Sequence, residues 1–76
     1  MERDGVIEVR SPTVGTVTEV LVQLGVQVTH EDDLLILESM KIQIPIRAPR
    51  PGVIQNILVK VGDTVRRGDV LMVLSE

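Results

Sequence analysis

Shifted by 37 residues, the chain lies on itself. Ser11-Pro12-Thr13-Val14-Gly15 falls over Ala48-Pro49-Arg50-Pro51-Gly52, Leu21-Val22 over Leu58-Val59, Gly25 over Gly62 and Val28 over Val65. Asp32, Leu34 and Leu37 meet Asp69, Leu71 and Leu74. Residues 5–39 against 42–76 give 11 identities in 35 positions, where chance gives roughly two. Val17/Ile54, Val20/Ile57, Leu24/Val61, Leu35/Met72 and Ile36/Val73 are conservative besides. A tandem duplication of this extent requires both halves to follow one plan. We therefore expect residues 1–76 to form one domain, with repeat halves 5–39 and 42–76 related by an approximate two-fold axis.

Each half reads as four short strands. The 14 Val and 7 Ile against a single Ala favour a pleated, half-buried surface over helices. Ile42, Ile44 and Ile46 alternate with Gln43, Pro45 and Arg47, a period of two. Pro45 cannot donate to a ladder, which places this strand at an edge. Strands are expected over 42–47, 53–60, 64–66 and 70–74, and in the first half over 5–10, 16–23, 27–29 and 34–38. Such a series, with turns every eight to ten residues, predicts an all-β sandwich or flattened barrel. Gly15, Gly25, Gly52, Gly62 and Gly68 are read as turn glycines with positive φ. Asp32, Asp33 and Asp69 are read as turn formers, Met72 as core, and Lys60, Arg47 and Arg50 as solvated.

Composition removes several classes of function. There is no Cys, Phe, Tyr or Trp, hence no disulfide, no thiol chemistry and no stacking platform for single-stranded nucleic acid. A net charge of −3 with only two Lys, at 41 and 60, suits a nucleic-acid backbone poorly. No apolar run has the length of a membrane span, and the charged opening Met1-Glu2-Arg3-Asp4 is no signal peptide. The expectation is a cytoplasmic domain with no nucleic-acid or membrane partner. His30 is the only His, so no metal site is expected. No nucleophile–base pair stands out, so no catalytic residue is assigned.

The joint between the halves carries the chemistry. Only Met40 and Lys41 fall outside the duplication, as a two-residue loop between strands 34–38 and 42–47. Such loops favour Asn-Gly, Asp-Gly or Gly-X, because their central residues need positive φ. Met-Lys meets neither preference, and a local rule broken without compensation points to a functional site. The two-fold places the chain ends at the opposite pole, which leaves Lys41 alone at its own. An amine attacks only when neutral, and at pH 7 a solvated lysine is neutral about 0.04% of the time. Lys41 is therefore suited to presentation to another enzyme rather than to catalysis of its own.

Glu38-Ser39-Met40-Lys41-Ile42 resembles the attachment motif of biotin carboxyl carrier domains, E-(A/S)-M-K-M. The resemblance extends through Ser11-Pro12…Gly15, Ala48-Pro49…Gly52 and Val61-Gly62-Asp63…Gly68-Asp69-Val70-Leu71, nearly the whole chain. It implies the barrel-sandwich hybrid: two four-stranded antiparallel sheets with internal pseudo-two-fold symmetry and the lysine on an exposed hairpin. It also implies biotin as cofactor, attached covalently to Lys41 by biotin protein ligase, with Glu38, Ser39, Met40 and Ile42 as ligase-recognition positions. Ile42 departs from the commoner Met. The halves align without a gap, so the resemblance is to thumbless carriers.

The activity implied is that of a non-catalytic carrier, expected to be monomeric in isolation. It shuttles a carboxyl group from biotin carboxylase to a carboxyltransferase, as in acetyl-CoA or propionyl-CoA carboxylase. The alternative is a lipoyl carrier of a 2-oxo acid dehydrogenase-like complex. Those resemble this chain but usually carry Asp before the lysine and Ala after it, where Met40 and Ile42 stand here.

Overall fold

The computed structural model describes residues 5–76; the charged opening Met1–Asp4 lies outside the described residues. Eight strands follow one another: β1 Val6–Arg10, β2 Gly15–Val20, β3 Gln27–Val28, β4 Asp33–Ser39, β5 Ile42–Arg47, β6 Gly52–Ile57, β7 Thr64–Val65 and β8 Val70–Ser75. They form two four-stranded antiparallel sheets, ordered β1-β8-β6-β3 and β5-β4-β2-β7. This is the expected all-β barrel-sandwich.

Adding 37 to every residue of one ladder reproduces another. Thr16↔Glu38 and Val20↔Leu35 become Val53↔Ser75 and Ile57↔Met72. Even the bulges repeat: the register slips between Val17 and Glu19 and again between Ile54 and Asn56. The core obeys the same rule. Leu34, Leu35 and Leu37 of β4 are each 0% exposed, as are Leu71, Met72 and Leu74 of β8. Val9/Ile46, Val17/Ile54 and Val28/Val65 complete the apolar pairs. Ser11, the one buried polar residue among those described, matches Ala48. Its hydroxyl donates to the Thr13 carbonyl at 2.6 Å, so its burial leaves no polar group unpaired.

The halves are not side by side. β1 and β3 of the first half join β6 and β8 of the second, and β2 and β4 join β5 and β7. Nearly every connection therefore crosses from one sheet to the other. Only β4 and β5 are consecutive strands paired with each other.

These crossings explain two departures from the sequence reading. The strands expected to reach residues 23 and 60 end at Val20 and Ile57. Leu21 N still donates to Leu34 O, but Gly25 N then donates to Ile54 O of the opposite sheet, so residues between must leave the ladder. Leu58 N to Leu71 O and Gly62 N to Val17 O repeat the crossing. The glycines also divide. Gly25, Gly62 and Gly68 have φ of 85°, 99° and 90°, as expected of turns. Gly15 and Gly52 open strands without positive φ, and close packing explains them instead. A Cβ on Gly15 would stand 2.9 Å from the Glu38 carbonyl oxygen, and one on Gly52 2.8 Å from that of Ser75.

The acidic turns are held by side chains. Asp32 Oδ2 accepts from Thr29 N at 3.0 Å, and Asp69 Oδ2 from Arg66 N at 2.8 Å. Asp33 differs from its turn-forming expectation: it opens β4 and pairs with Arg47 at 3.0 Å. Arg50 is ion-paired with Glu76. Lys60 lies outside the strands and is solvent-exposed, 3.5 Å from Asp63.

Candidate functional site

The β4–β5 hairpin is closed by Ser39↔Ile42, with Met40 and Lys41 alone in the turn. Their φ angles are 54° and 68°, the only positive values at non-glycine residues among those described. Both central residues thus occupy the left-handed region demanded by tight hairpin turns. For side chains with a Cβ this costs about 1 kcal/mol or more per residue. The strain persists because both flanking strands are anchored. β4 is an inner strand held by its three buried leucines, and β5 buries Ile46 at 7% exposure.

Burial along β5 falls steadily toward the tip. Ile46 is buried, Ile44 half-buried and Ile42 63% exposed. The expected alternation of buried isoleucines therefore fails at Ile42, the residue that closes the hairpin turn. Met40 is 90% exposed and Lys41 is exposed beside it. Glu38 and Ser39 are half-buried. The five positions are thus contiguous at one pole, with an amine flanked by two exposed apolar side chains. Lys41 takes part in no ion pair or side-chain hydrogen bond among the described residues.

Beneath the tip, Thr16 of β2 pairs with Glu38 on one side and Thr64 of β7 on the other. Gly15 supports the site through close packing rather than through a turn, and the duplication carries that signal, since Gly52 stands at the equivalent position. His30 is exposed, and no group of metal-ligating side chains occurs among the described residues.

A family described as biotin-requiring enzyme, the biotin/lipoyl family, matches residues 7–74. The chain belongs to that family. The biotin/lipoyl domain has clear structural neighbours. A single-chain, multi-domain long-chain acyl-CoA carboxylase matches with a TM-score of 0.88 and 32% identity, over 99% of this domain and 8% of the carboxylase. The urea carboxylase of Kluyveromyces lactis matches with a TM-score of 0.88 and 28% identity, over 97% of this domain and 6% of its own chain. Comparison with curated protein sequences gave no match. The domain thus spans less than a tenth of either carboxylase.

The matched family is one of biotin-requiring enzymes, which makes biotin the cofactor to test against this site. The biotin/lipoyl domain has a place for such a group. An exposed amine at the tip of an anchored hairpin, with no ion pair among the described residues, suits an amide-linked appendage.

Proposed function

We propose that this chain is the biotin carboxyl carrier domain of a biotin-dependent carboxylase, with Lys41 as the residue that biotin protein ligase modifies. The observation that carries the reading is the hairpin turn itself. A sequence free to optimise that turn would place Asn or Gly there, yet Met40 and Lys41 occupy it at φ 54° and 68°.

The chain contributes a nucleophile and its presentation. The Lys41 amine, relieved of a proton by the ligase, attacks an activated acyl carbon. A C–N amide bond forms and the adenylate leaves. The positive charge at the tip disappears and the side chain becomes a longer tether. Glu38, Ser39, Met40 and Ile42 surround this amine and offer the ligase its contact surface. Bound biotin supplies a nitrogen able to take up and release a carboxyl group. Anchoring by β4 keeps the tether at one pole, which raises its local concentration at sites within reach. Those sites belong to a biotin carboxylase and a carboxyltransferase of the acyl-CoA kind. The domain itself performs no bond chemistry after modification, and its unit is residues 1–76 with halves 5–39 and 42–76.

The connections β2–β3 and β6–β7 are of equal length, residues 21–26 and 58–63, in keeping with a thumbless carrier. Met40 and Ile42 in place of Asp and Ala speak against a lipoyl carrier.

Co-expression with an active biotin protein ligase, followed by intact mass, tests the assignment. The expected result is a gain of one biotinyl group and retention on streptavidin, both lost in Lys41→Arg. A chain that keeps its unmodified mass, or gains a lipoyl group in its native cell, overturns it.

A further inference from the structure

Two turns of this domain share one backbone design but differ in charge. In the turn 29–32, Thr29 N donates to Asp32 Oδ2 and Asp32 N to Thr29 O, at 3.0 and 3.1 Å. In the turn 66–69, Arg66 N donates to Asp69 Oδ2 and Asp69 N to Arg66 O, at 2.8 and 3.0 Å. The aspartate and one backbone bond close each turn in the same way, so the side chains of Arg66 and Arg67 are not called on to close it, while Gly68 is held at φ 90° with its N donating to Ser11 O. The residues between are His30 and Glu31 in one case, Arg67 and Gly68 in the other, with Arg66 where Thr29 stands.

The two arginines are also unneutralised. Arg10, Arg47, Arg50 and Lys60 each pair with a carboxylate. Among the described residues that leaves Arg66, Arg67 and Lys41 as the cations without an ion pair, all three exposed. They also share a pole. β7 pairs with β2 as Thr64↔Thr16 and Val65↔Gly15, and β2 pairs with β4 as Thr16↔Glu38. β7 therefore runs toward the Met40–Lys41 tip, and Arg66 continues in that direction. It lies two strand spacings from β4, about 10 Å.

We propose that Arg66 and Arg67 are a docking point for a carboxylate-rich surface of the biotin protein ligase, which they orient onto Lys41. The inference rests on Lys41 being the residue modified. Lys41 leads into β5, on the far side of β4 from β7, so the four-carbon stem of a bare lysine is shorter than the separation of the two features, which is at least the roughly 10 Å of two strand spacings. An enzyme that reaches the unmodified amine must close onto the hairpin itself and so covers the neighbouring turn. An enzyme that works at the end of an extended tether need not. Guanidinium groups bind carboxylates through paired hydrogen bonds. At one pole, three cations without ion pairs among the described residues, with Glu38 and Asp69 as nearby carboxylates, give the encounter a direction on a chain of net charge −3.

The test is the kcat/KM of biotinylation by the cognate ligase, followed by streptavidin capture at increasing NaCl. For the wild-type chain, kcat/KM should fall as salt rises through the range where the Debye length shrinks below about 10 Å. The double variant Arg66→Glu/Arg67→Glu should lose about ten-fold at low salt, mostly in KM, with the loss shrinking at high salt. Arg66→Gln/Arg67→Gln should fall between the two. Thr29→Glu/His30→Glu, which acidifies the matching turn at the other pole, should behave as wild type. Salt-independent wild-type kinetics, no loss on charge reversal, or equal loss at both poles overturns the docking point while leaving Lys41 modified. Failure of the wild-type chain to be modified at all overturns the reading of Lys41 as well.

Discussion

Gly15 lies directly against the Glu38 carbonyl, so that a single added methyl carbon would stand 2.9 Å from that oxygen. The contact couples β2 to the last residues of β4, immediately below the hairpin tip. Its symmetry mate, Gly52 against Ser75 at 2.8 Å, does the same at the opposite pole.

Gly15→Ala and Gly52→Ala should therefore be destabilising to a similar degree, about 1–3 kcal/mol each, since the obstructing atom is backbone. Urea midpoints measure this. The functional effects should separate: Gly15→Ala shifts the base of the hairpin and slows biotinylation beyond what Gly52→Ala does. Equal modification rates in the two variants would show that the tip does not depend on this packing.

The left-handed turn is a second site of testable cost. Replacing Met40 with Asn and Lys41 with Gly removes two unfavourable backbone conformations. The double variant should unfold at higher urea, with a gain of about 1 kcal/mol or more, and should no longer bind streptavidin after ligase treatment. A lowered midpoint would mean that the native side chains stabilise the turn through contacts of their own.

Lys41→Ala should alter folding stability by less than about 0.5 kcal/mol, because the side chain is exposed and makes no ion pair among the described residues. Thermal unfolding beside the streptavidin assay separates the two roles. A loss of several degrees in Tm would assign Lys41 to the fold.

Leu37 and Ile42 sit five residues apart on either side of the same hairpin with opposite burial, 0% and 63% exposed. Leu37→Ala should cost about 2–5 kcal/mol, a large share of what so small a domain has. Ile42→Ala should leave stability within about 0.5 kcal/mol, while Ile42→Met should be ligated at least as fast as wild type. Chemical denaturation and initial biotinylation rates give the two answers.

Much of this molecule follows from local and repeated patterns. Alternation at Ile42–Arg47 specifies a strand because side chains of a strand point alternately to two faces. The 37-residue repeat specifies equivalent registers because equal sequences solve the same packing problem twice. The two residues left over at positions 40 and 41 specify the hairpin. None of this says which strands become neighbours. That each sheet takes two strands from each half is decided by non-local pairing, which no window of sequence contains. The same interleaving ends β2 at Val20 and β6 at Ile57, bares Ile42 at the tip, and makes Gly15 and Gly52 necessary for close approach rather than for turning. Position in the tertiary structure also brings Arg66 and Arg67, 25 residues beyond the hairpin, to the pole where Lys41 stands.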